Sequence, residues 1–440
     1  MLAVPFSGLD TKGIARSLSQ VADRESDVAD AFFERLEVVE LPAAEAESGV
    51  RVRLETGLAV RLVREGQTWL AVRDSVEPDS YTRALRQIAR ALPMAAYPEP
   101  SWEAPPHGEV EGIDAIAEFP GAVTREIRQH HAAFPLQMTV RRHRRWIRIV
   151  GTQVVPDAQS EEFYSCLAEM PWGRFGAVLA DLGDNSVEHV SQSLIALFRA
   201  REAPQTPSKR QVVVLGPSAA AVLLHEVVAH ALEADTLVVG GRIEAAVGVQ
   251  LGSDLLNVLD DPGSAPAGVR RTVDDEGMVV VRRWLLRDGR VDQPLADRFS
   301  AARSPALVPG AGRRGSRYLP PVPRSTHLEL LPGENTVEEL LGDARGGLYL
   351  AEASRGSLDP LSGRFTLSLP FARRIGAKGA GDFVGPCRLE GTVSELLTAV
   401  NGIGDDSQAA GAGWCAKGGL KLPVWATTPA LRIEGVEVRG

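Results

Sequence analysis

The chain has 440 residues, of which 44% are hydrophobic and 24% charged, and its formal net charge is −9. This length exceeds what one ordinary hydrophobic core holds together and predicts two or three domains. The negative charge argues against a general nucleic-acid binder, which normally carries a basic surface.

The N-terminal region predicts helices and short antiparallel strands. Residues 11–46 predict a helix that passes towards strand at its end. Residues 49–74 alternate apolar and polar side chains between glycines, which is typical of β-hairpins. Apolar spacing over 80–92 predicts an amphipathic helix, and the Pro-rich residues 94–107 predict a linker.

A second segment begins with a predicted helix near 112–132 and continues into a basic stretch over 138–155. Its arginines indicate either a contact for anions or acidic peptides, or one solvated face of a strand. A long predicted helix near 185–201 ends the segment, and residues 202–210 resemble an interdomain connection. The arginines of the basic stretch are Arg141, Arg142, Arg144, Arg145 and Arg148.

The last segment predicts a buried strand followed by a helix, with Ser218 as its N-cap. Beyond it, short strands, Gly/Pro turns and one helix near 392–400 indicate a mainly antiparallel β domain with a central helix. The predicted fold class is therefore α+β. We expect an N-terminal domain over 1–205, in sub-segments of about 1–100 and 108–205, and a β-rich C-terminal domain over 206–440.

Cysteine usage and apolar runs predict the compartment. Cys166, Cys387 and Cys415 are widely spaced and odd in number, which is no disulfide framework and indicates a reducing compartment. The first residues lack the pattern of a signal peptide. The longest apolar run, 212–224, is too short and broken to span a bilayer. We expect a cytoplasmic protein.

The stretch "LLHEVVAHALEAD" places His225, Glu226 and His230 in an apolar helical run. At about 100° per residue, the two histidines lie roughly 140° apart on an ideal helix, too far to share a metal ion. A π-bulge between them would bring both onto one face, and such bulges are frequent at functional sites. The pattern is either a metal site on a distorted helix or a core helix that holds two histidines.

A catalytic zinc site needs three protein ligands and one open position. Cys415 follows a glycine-rich stretch that leaves its thiol reachable, so it is the favoured third ligand. Cys387 is a weaker competitor, and Cys166 lies in an apolar helical pattern as a buried small hydrophobe. Glu233 and Asp235 are alternative ligands, or carboxylates that orient an imidazole.

Such a site predicts metal-assisted amide hydrolysis. With His225, His230 and Cys415 as its ligands, a zinc ion would acidify a water molecule and polarise the substrate carbonyl. Glu226 would take the proton of the water and pass it to the leaving amine.

The ordered motifs resemble those of the TldD/PmbA metallopeptidases, also called modulators of DNA gyrase. The resemblance extends over nearly the whole chain, and the alternating "GVRVRLETGLAVRLV" is similar to the family's opening domain. The other stretches that carry it are "HEVVAHALEAD", "GSDLLNVLDDPG", "VDDEGMVVVRRWLLRDGRV", "PPVPRSTHLELLPGENTVEELL", "GLYLAEASRGSLDPLSGRF" and "GAGWCAKGGLKLPVWATTPALRIEGVEV".

The resemblance implies an intracellular zinc peptidase that acts on small unfolded peptides. It implies that His225, His230 and Cys415 bind zinc and that Glu226 is catalytic. It also implies a dimer, formed with a second copy or with a paralogue that lacks the metal motif. From the acidic net charge and the short apolar runs we expect neither direct nucleic-acid contact nor membrane contact. One alternative is a hydrolase for a single peptide-derived biosynthetic intermediate. The other is a non-catalytic regulatory subunit of a heterodimer, and the complete metal motif argues against this second alternative.

The chain also departs from the family's pattern. Family members usually carry glycine at the positions of Ala229 and Ala234 and glutamine at the position of Leu420, so we expect altered walls around the site. Two further residues are candidate substrate contacts. His327 is either a substrate contact near the metal or a surface or strand histidine, and Arg324 could hold a substrate carboxylate through two hydrogen bonds.

Overall fold

The fold is α+β, as the sequence predicts. The computed structural model describes residues 5–43, 49–90, 100–103, 112–152, 154, 157–239 and 246–440. Apart from 100–103, the predicted linker over 94–107 lies outside these ranges. Within them, no helix has both the length and the apolar character needed to cross a membrane.

The described residues of the N-terminal half form one antiparallel sheet of six strands. In chain order they are β1 (Val28–Leu41), β2 (Arg51–Arg64), β3 (Gln67–Arg73), β4 (Gln137–Gly151), β5 (Asp157–Met170) and β6 (Gly173–Leu179). The spatial order is β3-β2-β1-β4-β5-β6, so β1 is central and β6 forms one edge.

In the part of the chain that the structure describes, four helices cover one face of this sheet. Side chains of a strand alternate between faces, and Ala31, Phe33 and Val39 of β1 all pack in the two helix-lined cores. The helices are α1 (Thr11–Val21), α2 (Pro78–Ala89), α3 (Asp114–Arg128) and α4 (Asp184–Ala200).

Two sequence predictions are wrong in this half. The helix predicted over 11–46 ends at Val21, because β1 obtains backbone partners from a strand on each side and buries both of its faces. Cys166 lies on β5 and not on a helix. It is a buried residue, as expected, and burial raises the pKa of its thiol to about 12.

The basic stretch of β4 is not one solvated face. Arg142 is buried and its Nη2 lies 3.0 Å from Glu37, and Arg145 is buried with its Nε 2.8 Å from Glu34. A buried charge is tolerated only when it is paired. These two arginines therefore bind β4 to the neighbouring strand β1 through Glu37 and Glu34.

The C-terminal half, described except for residues 240–245, forms two larger sheets and one two-stranded ribbon. Its strands are β7 (Lys209–Leu215), β8 (Val258–Asp260), β9 (Arg283–Arg287), β10 (Arg290–Val291), β11 (Gly312–Arg313), β12 (Val322–Pro323), β13 (His327–Leu330), β14 (Leu348–Leu350), β15 (Arg355–Asp359), β16 (Arg364–Leu369), β17 (Ala372–Gly376), β18 (Gly379–Val384), β19 (Cys387–Thr392), β20 (Val400–Ile403), β21 (Gln408–Cys415), β22 (Leu422–Thr428) and β23 (Leu431–Arg439).

Nearly all of these strands pair antiparallel; β7 with β14 and β13 with β22 are parallel. The larger sheet has the order β15-β16-β19-β23-β7-β14-β17-β18, with β20 beside β23, and the second has the order β10-β9-β8-β13-β22-β21. Strand β15 is thus at one edge of the first sheet, and β21 is at one edge of the second.

The helical elements of this half are short. They are α5 (Pro217–Leu224), a π-helical turn (His225–Ala229), a 3₁₀ turn (His230–Leu232), α6 (Ala234–Val239), a second 3₁₀ turn (Ala267–Val269), α7 (Arg298–Ala301), α8 (Val337–Asp343), α9 (Val393–Thr398) and a third 3₁₀ turn (Lys417–Gly419). The predicted domain boundary at 205/206 falls in the connection between α4 and β7 and remains a prediction.

Helix α5 is the predicted central helix. It packs against both C-terminal sheets, and its apolar residues belong to the largest core cluster. Its N-cap is Gly216, with Pro217 at the first helical position, so the prediction of Ser218 as N-cap is wrong. Proline suits the first turn because its missing N–H would have no helical partner there. Ser218 Oγ instead donates to Glu352, 2.6 Å away.

Buried ion pairs join the second face of the N-terminal sheet to the C-terminal half. Asp30 of β1 accepts from Arg314 at 2.7 Å, and Arg271 pairs with Glu161 of β5. Arg271 also donates to Asp275 at 2.9 Å. Burial alone would raise the pKa of Asp275, but the surrounding arginines hold it well below its usual range. The carboxylate is therefore ionised and fully paired.

Removing one of these buried carboxylates should be costly. We expect Asp275→Ala to lower the free energy of unfolding by about 3–5 kcal/mol, because it leaves buried guanidinium groups without their partner. The exposed pair of Asp292 with Arg287, 3.2 Å apart, supplies the control, and Asp292→Ala should cost less than about 1 kcal/mol. Denaturant unfolding of both variants measures the difference, and equal costs would contradict the structural role of the buried pairs.

Candidate metal centre

The two motif histidines lie on one side of a π-helical turn. His225 through Ala229 form this turn, and the His230 N–H donates to the His225 carbonyl, a hydrogen bond that spans five residues. The imidazole ring centroids are consequently 4.5 Å apart. The π-bulge that the five-residue spacing requires is therefore present.

The third side chain comes from the far end of the chain. Cys415 is the last residue of β21, and its Sγ lies 3.6 Å from Nε2 of His230. The preceding glycines permit this placement. A Cβ at Gly411 would stand 2.0 Å from the carbonyl oxygen of Val178 in β6, so only glycine allows β21 to pack so closely against the N-terminal sheet.

His225, His230 and Cys415 fit a metal ion. One ligand atom from each lies within 4.8 Å of the others, and all three residues are buried. Nε2 of His225 is buried without a hydrogen-bond partner among the described residues, which is costly for a polar atom that has no ligand to bind. Burial also holds the pKa of His225 well below its usual value, so its imidazole is neutral, the form that coordinates metals.

Neighbouring groups orient both imidazoles. Glu233 leaves the helix in an extended conformation and accepts from Nδ1 of His230 at 2.7 Å, which directs Nε2 towards Cys415. On the other histidine, Nδ1 of His225 lies 3.5 Å from Ser325 Oγ. Such outer partners fix ring orientation and strengthen a metal ligand. The sequence prediction that Glu233 orients an imidazole agrees with this geometry.

Glu233 is itself held in place by cations. It is fully buried, and Arg324 lies 3.2 Å from it while Lys417 forms a close ion pair with it. Burial raises the pKa of Glu233, but His230, Arg324 and Lys417 together lower it below the usual range. On His230, burial opposes a charge, yet Glu233 and Cys415 raise its pKa to about 10. A metal ion at Nε2 must therefore displace a proton.

Glu226 lines the cleft beside these ligands. Burial raises the pKa of its carboxyl above the usual value, and the charge of His230 opposes this shift. Gly356 of β15 approaches it closely, because a Cβ at that position would lie 2.2 Å from Cγ of Glu226. Strand β15 is thus in direct contact with the side chain of Glu226.

The cleft has a volume of about 820 Å³ and is lined by both halves of the chain. Residues of β5, β6 and α4 form one wall. The π-helical turn, β15 and β21 form the other wall. Glu352, three residues before β15, also lines the cleft. The motif residues His225, Glu226, His230 and Cys415 all reach this space.

The structure does not bring the predicted substrate contacts to the cleft wall. Arg324 is buried and pairs with Glu233 and, at 3.6 Å, with Asp235. His327 is buried on β13, where its ring contacts Ser264 Oγ at 2.9 Å and Thr427 Oγ1 at 3.0 Å. Neither position supports a contact with substrate.

Other candidates also lie away from the ligands. Asp235 Oδ1 accepts from the N–H of Thr236 at 2.8 Å, and Asp235 is not in the ligand cluster. Cys387 is buried on β19, and burial raises the pKa of its thiol to about 11. Ala229, Ala234 and Leu420, the three departures from the family pattern, are not among the described residues that line the cleft, and the expected change of its walls stays a prediction.

Sequence reasoning missed Lys417, Ser325 and Gly356. Lys417 lies two residues after Cys415, so its place in the same glycine-rich segment was a usable signal. Ser325 and Gly356 are brought in from separate segments, and no local pattern marks them.

The buried ligand set, the adjacent carboxylate and the cleft define a candidate metalloenzyme. Residues 208–440, more than half of the chain, match the model of the PmbA/TldA metallopeptidase C-terminal domain. The chain therefore belongs to the PmbA/TldA metallopeptidase family.

Relatives agree with this assignment. A metalloprotease TldD homolog from Haemophilus influenzae is 31% identical over 259 residues, 58% of this chain and 52% of that protein. A metalloprotease from Methanothermobacter thermautotrophicus is 31% identical over 243 residues, 55% of this chain and 53% of that protein. The chain thus spans about half the length of the curated relatives it matches.

The fold is shared over nearly the full length with a solved structure. The crystal structure of TldE from Thermococcus kodakarensis superimposes with a TM-score of 0.74 at 17% identity, over 94% of this chain and 96% of that one. At this identity the likeness establishes the common fold.

The metal content of cysteine variants tests the centre. We expect the purified chain to hold about one divalent cation, and Cys415→Ala to lose it, because three protein ligands are the minimum for such a site. Cys387→Ala is the matched control, since Cys387 is also buried but lies outside the cluster. Elemental analysis measures both, and equal metal content in the two variants would exclude Cys415 as a ligand.

Proposed function

We propose that the chain is a zinc-dependent peptidase that hydrolyses amide bonds in small unfolded peptides. The observation that carries the proposal is the convergence of His225, His230 and Cys415 in one cleft that Glu226 also lines. Relatives named metalloproteases, at 31% identity over more than half of this chain, support it.

The donor set favours zinc. Two imidazoles and one thiolate suit this borderline-soft ion, and three protein ligands leave its fourth position open. In the proposal His225 and His230 contribute Nε2 and Cys415 contributes Sγ. When bound, zinc supplies Lewis-acid chemistry that acidifies water and polarises an amide carbonyl.

Glu226 moves the proton. A general base works best when its pKa lies near the working pH, and burial shifts Glu226 in that direction. Its carboxylate accepts the proton of the attacking water at one oxygen and delivers it to the nitrogen of the leaving amine. Gly356 keeps the carboxylate in place from the side of β15.

The cleft favours an extended, unfolded peptide. Its volume of about 820 Å³ is typical of sites that enclose a small ligand. Strand β15 lines it and ends its sheet, so one of its long edges has no neighbouring strand in the described chain. A peptide can pair with such an edge through its main chain, whatever its side chains. A folded protein has few segments that can do so.

Three further expectations belong to this proposal. The resemblance of the motifs to the family supports a dimer, formed with a second copy or with a paralogue. It also supports a location in the cytoplasm. The acidic net charge agrees with the absence of a nucleic-acid partner from the proposal.

Peptide cleavage by the zinc-loaded chain tests the function. We expect cleavage of unfolded peptides but not of a folded protein, and we expect Glu226→Gln to lower kcat/KM by roughly a hundredfold or more while keeping its metal. Mass spectrometry of products and elemental analysis measure the two properties.

Other outcomes separate the alternatives. A zinc-loaded chain that cleaves no peptide in a broad library would overturn the general peptidase and favour a single biosynthetic intermediate. Retention of full activity by Glu226→Gln would remove Glu226 from the mechanism.

Adding a methyl group next to Glu226 should lower the catalytic rate without removing the metal. We expect Gly356→Ala to lower kcat by roughly a hundredfold with metal retained, because its methyl group displaces the carboxylate and small misplacements are costly in catalysis. Gly376→Ala is the matched control, since Gly376 also lies on a strand of the same sheet but has nothing within 4 Å of its added Cβ. Equal activity in the two variants would contradict the close packing.

A further inference from the structure

The cleft wall is more cationic than the composition of this acidic chain suggests. Its lining includes the cations Arg141, Arg174, Arg355 and Lys417, against the acids Glu226 and Glu352. A focused charge of one sign in a cleft attracts a ligand group of the opposite sign.

Most of these charges already have partners within the protein. Glu352 accepts hydrogen bonds from Ser193 at 3.0 Å and Ser218 at 2.6 Å. Three of the cations are paired with carboxylates: Arg141 with Glu40 at 2.5 Å, Arg174 with Glu169 at 2.9 Å, and Lys417 with Glu233.

Arg355 differs from the other three cations. Its side chain is exposed in the cleft, and within the described ranges it forms no ion pair with a carboxylate. It is the first residue of β15, and the next residue, Gly356, is the one that contacts Glu226. The guanidinium therefore has no carboxylate within ion-pair distance in the described chain, and it acts on Glu226 only through its charge, which lowers the pKa of that carboxyl.

We propose that Arg355 is a specificity-determining residue that binds a carboxylate of the substrate close to the bond that is cut. The inference rests on the proposed peptidase function. The carboxylate belongs either to an aspartate or glutamate side chain or to the C-terminus of the peptide. Both present two oxygens that match the fork of a guanidinium.

The electrostatics of the cleft require such a cation for an acidic substrate. A substrate carboxylate near Glu226 meets a like charge, which is unfavourable in a partly desolvated space. Arg355 offsets this repulsion, whereas the paired cations that line the same cleft are already neutralised. The site thus accepts a negative group beside its own carboxylate.

Matched peptides test the inference. Four peptides share one cleavable sequence: a neutral peptide with an amidated C-terminus, the same peptide with a free C-terminal carboxylate, one with glutamate in place of a glutamine near the scissile bond, and one with lysine there. We expect the zinc-loaded chain to prefer at least one carboxylate peptide over the neutral one by roughly fivefold or more in kcat/KM. Whichever peptide gains identifies the source of the carboxylate.

Variants of Arg355 then test whether the preference for carboxylate peptides depends on this residue. Arg355→Gln should abolish the ratio between carboxylate and neutral peptides, and Arg355→Glu should favour the lysine peptide instead. Arg174→Gln is the control, because Arg174 lines the same cleft from the opposite wall but is paired with Glu169; it should keep the ratio. A fall of equal size for all peptides in Arg355→Gln would overturn the inference, as would the absence of any preference in the unaltered chain.

A binding measurement separates this inference from the proposed function. The metal-loaded Glu226→Gln variant, titrated with the same fluorescent peptides, reports recognition without cleavage. Tighter binding of a carboxylate peptide, lost in Glu226→Gln combined with Arg355→Gln, would support the role of Arg355 even if the chain cleaves none of the peptides. Equal binding of all four peptides would overturn the inference even if all four are cleaved.

Discussion

The hydrogen bond from the His230 N–H to the His225 carbonyl is the contact on which the candidate site depends. In a regular helix the two imidazoles would point roughly 140° apart, and Cys415 could then approach only one of them. A π-helical turn is rare, so its surroundings must hold it. Helix α5 before it is buried between two sheets, and Glu233 after it leaves the helix to bind His230.

The second requirement is that the two halves of the chain meet closely. Buried ion pairs such as Asp30 with Arg314 fix the N-terminal sheet on the C-terminal half, and Gly411 brings β21 against Val178 of β6. Phe163 of β5 stacks edge-on with Trp414, the neighbour of Cys415. The same contacts that join the halves therefore set the width of the cleft and the position of its thiol.

Local patterns in the sequence predicted much of this arrangement. The five-residue spacing of His225 and His230 demands a bulge on geometric grounds alone, and the glycines before Cys415 indicate a close approach. The helix predicted over residues 11–46, with a change towards strand at its end, stops at Val21, because backbone pairing of β1 on both sides outweighs local helix preference. The positions of Ser325 and Arg355 depend on contacts between distant segments, which no local spacing encodes. The sequence predicts Arg324 as a contact for a substrate carboxylate, because it does not reveal that the carboxylate bound by Arg324 is that of Glu233.

The distance along the chain between the ligands has a consequence for biogenesis. Cys415 is 185 residues from His230, so β21, which carries it, leaves the ribosome long after both histidines. A nascent or truncated chain has both histidines but lacks the thiol and the strand that closes the cleft. The candidate ligand set is therefore complete only after β21 has been made and has folded against the rest of the chain.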